Sequence, residues 1–342
     1  MTTIYVREQG ATVRRRGERL VVTKDRTELL DVPLMHVEQL AVVGNVQLST
    51  PAVAALLERE IDVVFYSGGF RFLGRLTGSG SKLAALRQAQ FKMMGNEDRS
   101  LALAKMIVAG KIANQRTLLQ RRLRPATGVA ADPVLAAGFQ RAVEGIGRMQ
   151  DAMHAAADLD SLRGYEGKAG AYYFGALKPL LDPQWGFAGR AYHPPPDPFN
   201  AALSFGYALL LKDALAAVEL VGLDPYLGFF HAIHHGRPSL ALDIMEEFRP
   251  LVVDGPLLGL VAKGRLSPAD FVRTGRTERP VELGAAALEL VLRTYEERMA
   301  ARIMHPVEGR RNTYRRCLEL QVRQVAAACA ADGASYVPLA VR

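Results

Sequence analysis

A histidine and three carboxylates crowd into one stretch of the second half of the chain. Gly228-Phe229-Phe230-His231 is followed by Ser239-Leu240-Ala241-Leu242-Asp243-Ile244-Met245-Glu246-Glu247-Phe248-Arg249. Pro238-Ser239 marks a helix start, and the helix carries Asp243, Glu246 and Glu247. Residues three and four apart share a helix face. Carboxylates on one face repel each other unless a cation or a basic side chain lies between them. A histidine brought to the same place completes a mixed nitrogen and oxygen site for a divalent metal. On a basic chain, such a site suggests phosphodiester chemistry. The same spacing also fits a solvated acidic face beside an ordinary polar histidine, so spacing leaves both readings open.

Arg163-Gly164-Tyr165-Glu166-Gly167-Lys168-Ala169-Gly170 is a second acidic landmark. Its three glycines allow close approach of another backbone or a ligand near a helix start. Glu166 is its only carboxylate, which an exposed helix position would equally explain. His231 and His235 have the i,i+4 spacing of zinc helices but lack the HExxH glutamate. His234 and His235 read as nucleic-acid-facing or solvated residues, and Arg237 as a phosphate contact or a partner of the local carboxylates. Tyr165, Tyr172 and Tyr173 could stack on unpaired bases, and helix packing serves the latter two equally well. Thr77-Gly78-Ser79-Gly80-Ser81 lacks the GxxxxGK[ST] spacing of a phosphate loop and reads as a hinge.

The chain has 342 residues, 49% hydrophobic and 23% charged, with a formal net charge of +8. That is an ordinary globular composition, long enough for two domains and outside the disordered class. The basic excess favours a polyanionic partner. Lys105, Lys111, Arg116, Arg121, Arg122 and Arg124 form one basic cluster. Arg302, Arg310, Arg311, Arg315, Arg316 and Arg323 form another, late in the chain. The two cysteines, Cys317 and Cys329, are roughly 18 Å apart along a straight helix, which excludes a local disulfide. Free cysteines suit a reducing cytoplasm. Met1-Thr2-Thr3-Ile4-Tyr5 lacks the pattern of a secretory signal. No uninterrupted apolar run approaches about 18 residues, so no membrane span is expected.

Residues 1–80 read as a small β-rich domain. Thr3–Arg7, Ala11–Arg15, Arg19–Thr23, Gln39–Val43, Ile61–Tyr66 and Phe70–Leu76 are the predicted strands. Ser49-Thr50-Pro51 starts one helix, with Thr50 as its cap and Pro51 at its first position. Residues 81–342 read as all-α. Helices are predicted over Lys82–Met94, Ser100–Arg122, Ala130–Asp158, Gly167–Leu181, Pro198–Val221, and near 239–262, 279–303 and 310–331. The Pro-rich run His193–Pro198 is a loop. The fold class is therefore α+β, a β-rich N-terminal domain followed by a larger helical one.

Together these pieces resemble a known family. The ordered set is Gly164-Tyr165-Glu166-Gly167, then Asn200 and Ser204-Phe205-Gly206-Tyr207, then Gly228 to His231, then Ser239 to Pro250. It is similar to the CRISPR-associated integrases of spacer acquisition, the Cas-one family, also described as metal-dependent DNA endonucleases. His36-Val37-Glu38, Gly44 to Thr50, and Lys111 with Asn114-Gln115-Arg116 agree with it, so the resemblance covers essentially the whole chain.

The resemblance implies a β-rich N-terminal dimerisation domain and a helical catalytic domain. It implies a Mg²⁺ or Mn²⁺ ion held by Glu166, His231 and Glu246, with Asp243 as an outer partner or alternative ligand. The third position is aspartate in some members of the family and glutamate here. Such an ion can polarise a phosphoryl oxygen and activate a hydroxyl or water. The implied partners are double-stranded and branched DNA, a second copy of the chain, and a small second CRISPR adaptation protein bridging two dimers. Lys111, Arg116, Tyr165, Arg237, Arg315 and Arg316 are the candidate DNA contacts. Two rival readings are a structure-specific repair nuclease that does not integrate, and a DNA-binding scaffold with a vestigial acidic site.

Overall fold

The computed structural model describes residues 2–70, 72–76, 84–123, 133–191, 194–331 and 334–341. The chain divides into two compact units, residues 1–82 and 83–342. The expected hinge, Thr77–Ser81, lies outside the described residues.

In the first unit the strands are β1 (Thr2–Val6), β2 (Thr12–Arg16), β3 (Arg19–Lys24), β4 (Thr27–Pro33), β5 (Val37–Val43), β6 (Gln47–Leu48), β7 (Asp62–Tyr66) and β8 (Phe72–Leu76), with helix α1 (Thr50–Glu58) between β6 and β7. One sheet has the order β1-β5-β7-β8 and the other β4-β3-β2-β6. Strands β1, β5 and β7 run parallel, and β8 returns antiparallel on the edge. Alternating apolar residues put Val13, Leu20 and Val22 from one sheet, and Leu40, Val42 and Val63 from the other, into a shared core with Leu56 of α1.

Strand β4 escapes the sequence reading. Its turn is Asp25-Arg26, both at positive φ, a conformation usually announced by Asn-Gly or Asp-Gly. The strand is also an edge with little buried surface, so no apolar alternation marks it. At α1, Ser49 and not Thr50 is the N-cap, and no side chain caps the helix.

The second unit contains α2 (Ala84–Met94), α3 (Glu97–Leu123), α4 (Pro133–Ala152), α5 (Leu159–Leu177), α6 (Pro198–Val221), α7 (Ser239–Phe248), α8 (Gly255–Ala262), α9 (Ala285–Ala300) and α10 (Tyr314–Ala330). It is not all-α. Strands β9 (Phe271–Arg276) and β10 (Arg279–Leu283) form a hairpin, as do β11 (Arg302–Met304) and β12 (Arg311–Thr313). Their Arg- and Thr-rich sequences lack the alternation that marks a half-buried strand. The expected helix over 239–262 is interrupted by a π-helical stretch, Arg249–Asp254. The expected helix at 279–303 loses its first turn to β10.

Helix α6 is the centre of this unit. Asp197 caps it by accepting from the Asn200 amide at 2.9 Å, Pro198 stands at its start, and Gly222 ends it at φ 96°. It is long and apolar enough to cross a membrane, but 78% of its apolar window is buried inside the unit. It packs against α7, α9 and α10. Cys317 and Cys329 are both buried and free, and burial pushes their thiols up to about 12 and about 11.

Candidate metal centre

Glu166 sits two turns inside α5, not near a helix start. Asp158 caps that helix through a reciprocal pair with Ser161, in which the Ser161 amide donates to Asp158 Oδ1 at 2.7 Å. Leu162, Ala169 and Tyr173 are buried along one face of α5. Glu166 falls on that face at helical spacing, so its side chain enters the unit and is only 21% exposed.

Helix α7 divides its three carboxylates between different tasks. Asp243, fully buried, takes backbone amides. Its Oδ2 accepts from Phe229 N at 2.6 Å and Phe230 N at 3.0 Å, and its Oδ1 accepts from His231 N at 2.9 Å. The same Oδ1 lies 2.7 Å from His231 Nδ1. A carboxylate only accepts, so Nδ1 carries the proton, and Nε2 faces Glu246 Oε1 at 3.6 Å. Gly228 makes this turn possible, because a Cβ there would stand 2.7 Å from Ser239 backbone carbon and 2.9 Å from Asp243 Oδ2. Both Asp243 oxygens are thus engaged by the backbone amides of residues 229–231 and, at Oδ1, by the His231 ring.

Glu246 points to the other carboxylate of the site. Lys111, from α3, places Nζ 2.5 Å from Glu166 Oε1 and 2.5 Å from Glu246 Oε2. Arg249 Nη2 lies 3.4 Å from Glu246 Oε1. Burial would raise the Glu246 carboxyl, but Arg249, Lys111 and His231 outweigh it and bring it down to about 2. Burial likewise opposes the Lys111 ammonium, and the Glu246 and Glu166 carboxylates overcome it, holding Lys111 above its ordinary value.

Glu166 and Glu246 thus meet at one ammonium group, and His231 Nε2 lies 3.6 Å from Glu246. Among the described residues, no three His, Cys, Asp or Glu side chains already stand in the arrangement that would hold one ion. The donor set nevertheless fits a divalent cation. Glu246 Oε2 is a buried oxygen that receives no well-aimed hydrogen bond, although Lys111 Nζ lies 2.5 Å away, and Glu246 Oε1 lies 3.6 Å from an imidazole nitrogen. A divalent cation held by Glu166 and Glu246 would compete with Lys111 for the two carboxylates.

Arg249 was not singled out by sequence reasoning. Arg249 lies three residues after Glu246, a spacing that puts both on one helix face, and its guanidinium also stacks 4.7 Å above the ring of Tyr207, while a π-helical stretch runs on from it. The same stretch ends at Asp254, which accepts from Tyr173 at 2.8 Å and Tyr207 at 2.7 Å. Glu247 faces away from the site and accepts from Tyr336, Gln321 and Leu339.

Several expected DNA contacts are otherwise engaged. Lys111 is held by the site carboxylates. Arg315 bonds Glu296 at 2.9 Å and Asp213 at 3.3 Å, inside a buried cluster with Lys212 and Tyr295. Arg116 packs against Gly147 of α4, with its Nε buried. Tyr173 is fully buried and tied to Asp254, so it cannot stack on a base. Tyr172 lines a mostly apolar cavity of about 630 Å³ between α4 and α5 with Leu135, Phe139 and Ala176. Tyr165 and Arg237 are half-buried, while His234 and His235 are exposed. Arg316 is 43% exposed and pairs with Glu319. Arg121, Arg302, Arg310, Arg311 and Arg323 are also exposed. Arg124 and the side chain of Arg122 lie outside the described residues.

A family model described as CRISPR associated protein Cas1 matches residues 4–297. CRISPR-associated endonuclease Cas1 1 of Thermus thermophilus is 37% identical over 337 residues, covering 98% of this chain and 98% of that protein. A Rhodospirillum rubrum protein named CRISPR-associated exonuclease Cas4/endonuclease Cas1 fusion is 34% identical over 97% of this chain, but the match spans only 56% of the fusion. Among solved structures, a Cas6-RT-Cas1–Cas2 complex superposes with a TM-score of 0.81 at 24% identity, over 99% of this chain and 36% of that one. That likeness speaks to the fold.

Proposed function

Because the chain belongs to the Cas1 family of CRISPR-associated proteins, we propose that it is a metal-dependent DNA endonuclease and integrase of CRISPR adaptation. One observation carries this reading at the level of the site. Two carboxylates from α5 and α7 meet at Lys111, with His231 Nε2 3.6 Å from one of them.

Glu166, Glu246 and His231 would hold the ion, Mg²⁺ or Mn²⁺. When bound, it supplies a Lewis acid that polarises a phosphoryl oxygen and stabilises negative charge in phosphoryl transfer. The chain's own residues prepare that chemistry. Glu246 is ionised throughout the physiological range, because its carboxyl lies near 2. Asp243 fixes the ring of His231, so that Nε2 offers a lone pair. Lys111 and Arg249 supply positive charge beside the carboxylates, which offsets that of an incoming phosphate.

In strand joining, a DNA 3′-hydroxyl oxygen forms a new bond to phosphorus as an existing phosphorus–oxygen bond breaks. The attacking hydroxyl loses its proton and the departing oxygen gains one, so no energy-supplying co-substrate is required. Water in place of the hydroxyl gives cleavage. The proposed substrates are duplex and branched DNA, approached through exposed arginines such as Arg302, Arg310, Arg311 and Arg316. The proposed assembly is a homodimer paired through residues 1–80, with a small second adaptation protein of the Cas2 type between two dimers.

A labelled-oligonucleotide reaction with Mn²⁺ or Mg²⁺ tests this reading. The parent protein is expected to give joined and shortened strands. Glu166→Ala is expected to lose both while still binding duplex, since the phosphate contacts are dispersed. Shortened strands alone would favour the repair nuclease, and metal-independent inertness would favour the scaffold.

A further inference from the structure

The segment 334–341 grips both helices that face each other across the site. Asn114 lies one turn after Lys111 on α3 and is fully buried. Its Nδ2 donates to the carbonyls of Glu247 at 2.8 Å and Leu339 at 2.7 Å, and its Oδ1 accepts from Val341 N at 2.9 Å. Glu247, the residue after Glu246, accepts from Tyr336 OH at 2.9 Å and from Leu339 N at 2.8 Å. Gln321 of α10 donates to Glu247 at 2.8 Å and to Tyr336 OH at 2.9 Å.

Gly110, the residue before Lys111, completes the junction. A Cβ there would stand 2.8 Å from both Glu247 Cγ and Pro338 Cβ. Thus the residues flanking Lys111 and Glu246 in sequence are held by one segment, Tyr336–Val341, while Lys111 and Glu246 themselves meet at 2.5 Å. A segment whose Tyr336 and Leu339 are buried, and which is fastened by hydrogen bonds to two helices, limits how far one helix can slide past the other.

We propose that Tyr336–Val341 is a positioning strap for the metal centre. It sets the register of α3 against α7, and so the place of the Glu246 carboxylate relative to Glu166 and His231. Tyr336, Glu247 and Asn114 act through Glu246 and do not touch the ion or the DNA. This inference rests on the metal-centre reading of the preceding section.

The test uses the full chain carrying Tyr336→Phe or Gly110→Ala. Tyr336→Phe keeps the ring and removes only the hydroxyl that bonds Glu247. Mn²⁺ binding is followed by the EPR signal of the free ion, alongside the Mn²⁺ dependence of strand joining and thermal unfolding. Both variants are expected to weaken Mn²⁺ binding about tenfold, within the range for outer partners of metal ligands. The half-saturating Mn²⁺ for joining should rise in parallel, and activity at saturating Mn²⁺ should approach that of the parent. Unchanged Mn²⁺ affinity with a lowered unfolding temperature would overturn the proposal and leave the segment a fastening of the fold. Failure of the parent to bind Mn²⁺ at all would remove the metal-centre reading, and the strap's role with it.

Discussion

Lys111 sets one positive charge against two carboxylates, and Arg249 adds a second beside Glu246. This makes Lys111 a stabiliser of the fold and a competitor for a divalent ion. Removing one partner of a buried pair costs about 3–5 kcal/mol. Lys111→Met is therefore expected to lower the unfolding temperature without added metal and to show a larger rise with Mn²⁺ than the parent, since bound ligand stabilises by mass action. Equal Mn²⁺-induced rises in the two proteins would contradict the competition. Asp254 offers a separate test at this scale. Burial raises its carboxyl from 3.8 to about 6, against the bonds from Tyr207 and Tyr173. The folded state then holds a proton between about pH 4 and 6 that the unfolded chain releases. Stability contributed by that proton is present below pH 4 and is lost as pH rises through 6. A shift of this size corresponds to about 3 kcal/mol. Asp254→Asn should flatten the pH 4–6 dependence of thermal unfolding and leave the protein at least as stable as the parent at pH 7. An unaltered slope would assign that dependence to other groups.

The elements that present the site are held in place by close contacts that allow few substitutions. Gly228→Ala drives a methyl group against the Ser239 backbone and the Asp243 carboxylate. Backbone cannot yield as a flexible side-chain tip can, so the turn carrying His231 must move. Strand joining by this variant is expected to fall by at least about tenfold, because small displacements of reacting groups are costly. Its far-UV circular dichroism should match the parent, and retained activity would show that the turn has slack. Helix α6 was legible in the sequence, since it is apolar along nearly its whole length and bounded by Asp197-Pro198 and Gly222. The β9–β10 and β11–β12 hairpins, β4 and the π-helical stretch stayed hidden, because each is fixed by tertiary packing or unusual turn residues. At the site, types and spacing pointed to His231 with Asp243, Glu246 and Glu247 as a metal site or a solvated acidic face, and the family resemblance selected Glu246 and added Glu166. No local pattern distinguished Glu247 from Glu246 on one helix, although one faces Lys111 and the other faces Tyr336. That difference depends on residues nearly a hundred positions away. Within the basic clusters, Lys111 and Arg315 are engaged by buried carboxylates supplied by distant helices, Glu246 and Asp213, which no local pattern announces.

At the scale of the whole molecule, the unit of residues 1–82 carries signs of an unmet contact along its sheet edges. Among the described residues, its strands β4 and β8 pair with a neighbouring strand on one side only, the position from which another chain can be joined. Leu29 and Leu73, on those two strands, are 45% and 56% exposed, and Met35, just after β4, is 77% exposed. Large apolar side chains beside open sheet edges are costly in water and favourable at a two-fold interface. A homodimer paired there would carry two copies of the Lys111 site, matching the two strand-joining events that insertion of a DNA segment requires. The unit's core is formed by Val13, Leu20, Leu40 and Leu56, so surface substitutions can probe pairing without disturbing the fold. The full chain with Met35→Glu and Leu73→Lys is expected to sediment as a monomer where the parent sediments as a dimer. Its unfolding temperature should drop only by the contribution that association makes at that protein concentration. Half-site joining on one DNA end should survive in the monomer, while paired joining at two ends should be lost. A double variant that remains dimeric would move the interface to the helical unit and refute pairing through the sheets.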